Sequence, residues 1–175
     1  MRLGSPGKLE SPIQHHQIEM ITSTFWARGE FESLGGPHLY LNQDGLTILV
    51  LNKPHIVPWS FAGLPVTTPP QLLVHRDEVQ LLRFLQPESN AEYQSPPRNK
   101  ILFFYFPLFV VQGQTPMFSE ANIKNFLDFW KGTFLPITNA SIHFFNESSV
   151  QLPRQAPLAY INRRYIQGYF PAPEA

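Results

Sequence analysis

Eighteen prolines in 175 residues constrain this chain more than any other feature. Proline fixes φ, donates no backbone hydrogen bond and clashes inside a helix or central strand, so about twice the usual share of roughly 5% cuts the chain into short elements. Long helices are not expected. The prolines are also unevenly placed: five stand at positions 54, 58, 65, 69 and 70, and none interrupts the stretch from Ser119 to Phe134.

What fills the short elements is strongly apolar. The 43% apolar share against 15% charged supplies ample core material, which excludes disorder of the whole chain, and the length suits one domain. Residues 1–19 read as a flexible lead-in without the apolar run of a signal peptide, residues 20–170 as a single compact domain, and 171–175 as a tail. A cytoplasmic location is the expectation. The longest apolar run, Ile101 to Val111, is interrupted by Pro107 and falls well short of the about 20 residues that a spanning helix needs, so no membrane span is expected.

The absence of cysteine removes disulfides, thiolate nucleophiles and cysteine-ligated metal sites together. With 13 basic and 13 acidic residues the chain lacks the surplus of a sequence-independent nucleic-acid binder. No phosphate-loop, dinucleotide, zinc-protease, nucleophile-elbow or calcium-loop motif occurs, so the sequence nominates no catalytic residue, metal ligand or cofactor. His15-His16 reads as part of a solvated tail, and the sequons at Asn139 and Asn146 as chance.

Local patterns point to an α+β domain: an antiparallel sheet or partly open barrel of about five to six short strands. Met20 to Glu32 reads as one strand. Asp44-Gly45 between Leu39–Leu41 and Leu46–Asn52 reads as a hairpin turn, because glycine accepts the positive φ that such turns demand. Ile101 to Val111 reads as a buried strand with Pro107 at an edge, bulge or end. Ser119 to about Lys131 reads as the one clear helix, with Ser119 as cap and Ile123, Phe126, Leu127 and Trp130 forming a stripe. A second helix is possible from about Pro69 to Leu85, capped by Thr68, with a hairpin as its alternative. No repeat period is visible.

Two segments hold large rings outside these elements. Trp59 and Phe61 stand in the proline-rich stretch, and Tyr160, Arg163, Arg164, Tyr165 and Tyr169 gather near the C-terminus. Exposed aromatics with arginine forks suit docking to a partner. The expected function is therefore a non-enzymatic interaction or accessory module that binds another protein or itself as a homo-oligomer. A weak nucleic-acid binder using Arg163, Arg164 and neighbouring tyrosines is the first alternative. The second is a small-molecule binder or enzyme with a pocket between sheet and helix, with His38, His55 or His143 at its mouth.

Overall fold

A computed structural model describes residues 12–59, 68–91, 93–94, 96, 98–117, 122–146 and 151–173. Aromatic and β-branched residues recur through these segments, and ten of them become strands. In chain order they are β1 (Ile13–Thr22), β2 (Phe25–Leu34), β3 (Ile48–Pro58), β4 (Gln71–His75), β5 (Val79–Phe84), β6 (Asn99–Tyr105), β7 (Phe109–Pro116), β8 (Phe134–Phe144), β9 (Gln155–Asn162) and β10 (Gly168–Pro171). All belong to one sheet of order β10-β6-β7-β8-β9-β5-β1-β2-β3-β4, antiparallel at every pairing. The helices are short: α1 (Pro37–Leu41), α2 (Pro87–Ala91) and α3 (Phe126–Phe129), with 3-10 turns at Arg76–Glu78, Ile123–Asn125 and Arg163–Tyr165. Among the described residues, no helix is long and apolar enough to cross a membrane.

The molecule is thus mostly β, with ten strands in place of the five to six expected. Of the helix expected from Ser119 to Lys131, the described residues form a 3-10 turn at Ile123–Asn125 followed directly by α3, which Asn122 caps by accepting from the Asn125 N–H, while the expected cap Ser119 lies outside the described residues. The second helix expected over Pro69–Leu85 is instead β4, a 3-10 turn and β5. Its apolar residues are drawn to distant partners: β4 pairs with β3, and β5 lies between β1 and β9. Pairing on both edges explains why Val79, Gln80, Leu81 and Leu82 are all buried, a pattern unlike one helical stripe.

Nor do the strands expected on either side of Asp44-Gly45 pair as a hairpin. Gly45 does take φ 80°, but Leu39 to Leu41 lie in α1, so the turn links a helix to β3. The stretch from Met20 to Glu32 contains a hairpin tip at Ser23-Thr24, and Ile101 to Val111 folds back at Phe106–Leu108 so that Pro107 occupies the turn. β1 already begins at Ile13, which sets His15 outward and buries His16. His16 Nε2 meets Ser33 Oγ at 3.0 Å and Nδ1 meets Ser89 Oγ at 2.7 Å. Ser33 donates to Gly35 O, so it accepts from Nε2–H, which leaves Nδ1 to accept from Ser89.

The strand order contains a repeat. Four consecutive strands form a meander and the fifth returns beside the first, once as β5-β1-β2-β3-β4 and again as β10-β6-β7-β8-β9. Equivalent positions recur at intervals of about 85 residues. β1 pairs β5 through Ile18↔Phe84 and Met20↔Leu82, and β6 pairs β10 through Leu102↔Pro171 and Phe104↔Tyr169. The β2–β3 register slips between Arg28 and Glu30, and the β7–β8 register slips between Gln112 and Gln114. Opposite the two slips, Lys53 and Asn139 are the non-glycine residues with positive φ among the described residues, 47° and 50°.

Single side chains recur too. Arg76 N–H donates to Thr47 O at 2.8 Å, and Arg163 N–H to Thr133 O at 3.1 Å. The Arg76 guanidinium donates to Leu41 O at the end of α1 and to Gln43 O just beyond it, and that of Arg163 to Leu127 O and Trp130 O at α3. Each arginine therefore ties its 3-10 turn to the short helix of its own unit, using carbonyls that a helix end leaves without intrahelical partners. In sequence the repeat is faint: Val74-His-Arg-Asp-Glu-Val-Gln80 against Ile161-Asn-Arg-Arg-Tyr-Ile-Gln167, with Gly29/Gly113 and Pro70/Pro157 elsewhere.

Each unit has its own core, completed by the other. Ile18, Met20, Phe31, Leu49, Val79 and Leu82 of the first unit pack with Phe134, Leu158 and Tyr160 of the second. Conversely, Ile21, Trp26 and Leu81 join Phe104, Phe109, Val111, Phe126 and Ile137. Asn42 adds a polar tie by accepting from the Phe134 N–H at 2.8 Å.

Candidate interaction surface

The C-terminal ring-and-arginine cluster lies where the two units meet. β5 and β9 pair through Leu81↔Ile161 and Leu82↔Tyr160, and polar contacts lengthen this short ladder. The Asn162 side-chain amide donates to Asp77 O at 3.2 Å and Val79 O at 3.0 Å. Arg83 donates to Gln155 O at 3.2 Å. Beyond the strand ends the two 3-10 turns touch: Arg164 lies 3.5 Å from the Asp77 carboxylate, and the Tyr165 hydroxyl donates to Glu78 at 2.8 Å. Burial and the Glu78 carboxylate both push the Tyr165 hydroxyl above its usual pKa.

The sequence-nominated residues thus divide. Tyr160 is fully buried, edge-on to Phe84 at 5.6 Å and tilted on His38 at 5.6 Å, so its ring belongs to the core. Tyr169 packs on Phe104 and Phe126, and its hydroxyl donates to Lys124 O. Trp59 donates its indole N–H to Thr22 O at 2.9 Å and packs against the second unit's core. Phe61 lies outside the described residues. Arg163, Arg164 and Tyr165 do dock, onto carbonyls of their own unit or onto the first unit of the same chain. Their side chains carry structural partners already, which weakens the case for a phosphate grip.

Sequence reasoning missed the two ends of the ladder, β4 and β10, each paired on one side only among the described residues. Hydrogen-bond direction alternates along a strand. Because the Arg76 N–H faces β3, Val74 and Leu72 also face β3, and the Leu73 backbone faces outward. Because the Ala172 N–H donates to Ile101 O, Phe170 and Gly168 face β6, and the Tyr169 backbone faces outward. Apolar side chains accompany these free edges: Leu73 is 62% exposed, and Phe170 stacks on Phe103 at 4.9 Å beside the exposed Tyr105.

The histidines do not converge. His38 lies in α1, exposed His55 sits edge-on to Trp26 in β3, and His143 on β8 lines an open cleft of about 650 Å³ with Ser141, Asn146 and Arg154. His15, Glu30 and Glu32 do bring one ligand atom each within 4.8 Å of one another. Their strands explain this, since His15 faces Glu32 across β1–β2 and Glu30 lies two residues along the same face. Separations of 3.4 and 3.8 Å make a surface ion-pair cluster whenever the imidazole is protonated.

No family model, curated protein or solved structure matches the chain.

His38 yields a pH prediction. Burial against Tyr93 and Tyr160 lowers its pKa from 6.5, while burial pushes the Tyr93 hydroxyl up to about 12. The folded state disfavours the imidazolium, so below pH about 6.5 the unfolded chain binds more protons and stability falls with pH. The contribution is complete above 6.5 and shrinks as pH drops towards the lowered folded value. Urea midpoints at pH 7.5 and 5 are expected to differ less in His38→Phe than in the parent. Equal pH slopes in both proteins would remove His38 from the account.

Proposed function

We propose that the protein is a non-enzymatic interaction module that binds polypeptide through the open ends of its sheet. One observation carries this reading: among the described residues, both ends of the ten-stranded ladder leave backbone donors and acceptors unpaired beside exposed apolar side chains, Leu73 at one end and Phe170 at the other. An edge of this kind is a template for a further strand, whose backbone supplies affinity and whose side chains supply specificity. The same reading moves the contact surface away from Trp59 and Tyr160, whose rings are engaged within the chain, and onto strand edges. A nucleic-acid surface is the less favoured reading, because Arg163 is held by main-chain carbonyls and Arg164 by Asp77.

Photo-crosslinking tests it. A benzophenone side chain placed at Leu73 or Phe170 is expected to trap polypeptide in extracts of the native host, whereas one at exposed Glu88 on α2 is expected to trap far less. Equal or absent capture at all three positions would refute the assignment to the edges.

A further inference from the structure

We propose that the polypeptide at each edge is a second copy of this chain, added head to tail so that β4 of one molecule pairs with β10 of the next. This rests on the reading of the ladder ends as the interaction surface and specifies its partner. The chain already contains one example of the joint. The β5–β9 junction joins the fifth strand of one unit to the fourth strand of the other. β10 and β4 are the remaining fifth and fourth strands, and among the described residues both are unpaired on the corresponding side.

Transferring the internal joint to the free edges gives a definite register. Leu73 takes the place of Tyr160 and Val74 that of Ile161, while Tyr169 replaces Leu82 and Gly168 replaces Leu81. Leu73 and Tyr169 then form the hydrogen-bonded pair, and they are the residues whose backbones face outward. The burial contrast is sharp: Tyr160 is 0% exposed beneath its partner strand, and its counterpart Leu73 is 62% exposed without one. Pro171 does not obstruct the joint, because it stands for Phe84, which lies beyond the two residues that pair with β9.

The flanking groups match as well. Within the chain, the basic and phenolic turn of the second unit meets the acidic turn of the first, as Arg164 to Asp77 and Tyr165 to Glu78. Between chains the roles exchange: Asp77 and Glu78 of the second copy face Arg164 and Tyr165 of the first. The complementarity is therefore preserved at every joint, with acidic and basic turns alternating. Joining two first units would instead oppose acidic turns, which electrostatics disfavours. The contact is heterologous, so repetition closes into a ring or runs on as a fibre.

Native mass spectrometry and light scattering on the purified full chain, at about 5 and 100 µM, test this directly. The expected result is assembly in multiples of 20.1 kDa. Leu73→Lys places a charge on the edge, and Leu73→Pro removes only an outward-facing N–H, which an edge strand tolerates. Both are expected to return the protein to 20.1 kDa with the parent's far-ultraviolet circular dichroism. A parent that stays at 20.1 kDa at 100 µM overturns the proposal, as does an oligomer of unchanged mass in both variants. If the purified parent is monomeric yet Leu73 crosslinks to a different host polypeptide, self-assembly falls and the interaction reading stands; if neither occurs, both fall.

Discussion

Gly113→Ala is expected to lower stability by about 2 to 4 kcal/mol, which for a chain of this size moves the thermal midpoint down by roughly 5 to 15 °C. Its cause is the approach of the opposite strand. A β-carbon at Gly113 stands 2.4 Å from Ile137 Cγ2, 2.9 Å from Thr138 O and 3.2 Å from Ala140 Cα. Two of these three atoms are backbone of β8 at its bulge, and Ile137 is fully buried, so none yields cheaply. The equivalent Gly29 faces the same bulge in the first unit, with Asn52 O at 3.0 Å and Pro54 Cα at 3.2 Å. The slightly larger gaps predict a smaller loss for Gly29→Ala, about 1 to 2 kcal/mol.

Gly45→Ala isolates a different effect. It has open space around it but φ 80°, so its cost of about 1 kcal/mol comes from backbone conformation rather than collision. Chemical denaturation of the three variants should rank them Gly113 first, then Gly29, then Gly45. If Gly113→Ala and Gly29→Ala both fall within about 0.5 kcal/mol of the parent, the two bulges do not pack as tightly as their strands require.

These glycines also mark where the sequence was legible and where it was not. Apolar content and the shortness of the helices could be read from composition and proline spacing, but the expected shortness of the strands fails: β1 and β2 run for 10 residues and β3 and β8 for 11, with Pro54 inside β3 and Pro136 inside β8. The turn at Gly45 could be read as well, since positive φ is a local demand. What joins to what could not. Leu39–Leu41 and Leu46–Asn52 look like hairpin arms, but β3 finds β2 and β4, because burying Leu49 and Leu51 against Phe31 and Val74 outweighs the local turn signal.

The helical stripe read into Val74, Leu81, Leu82 and Leu85 fails for a similar reason. Period and capping describe an isolated segment, and here both sides of β5 are occupied by strands far away in sequence. The repeat is hard to read in the sequence because the positions the two units share are structural junctions: a glycine at a bulge, a proline opposite it, and an arginine that ties turn to helix. At nearly every other position the two units differ. Arg164 and Tyr165 stand out in the sequence as a docking cluster, and they do dock, but the partner is the other half of the same chain, while Arg163 holds α3 of its own half.

Tyr160→Ala is expected to cost about 3 to 5 kcal/mol, among the largest losses available to a single truncation here. The ring is fully buried at the seam between units, edge-on to Phe84 and against His38, so its removal opens a cavity in the core built around the first unit. The structurally equivalent Leu73→Ala provides the contrast. In the single chain Leu73 is mostly exposed, and truncation there is expected to stay within about 0.5 kcal/mol.

Protein concentration separates two readings of that contrast. If β4 meets β10 of another copy, Leu73 is covered in the assembly, and Leu73→Ala destabilises increasingly as concentration rises from micromolar towards 100 µM, because the parent gains stability by mass action and the variant gains less. The Tyr160→Ala loss stems from an intramolecular seam and should be nearly the same at both concentrations. Urea titrations of the parent and both variants at the two concentrations thus read internal and external joints side by side. A Leu73→Ala effect that does not change with concentration would mean that the edge stays uncovered.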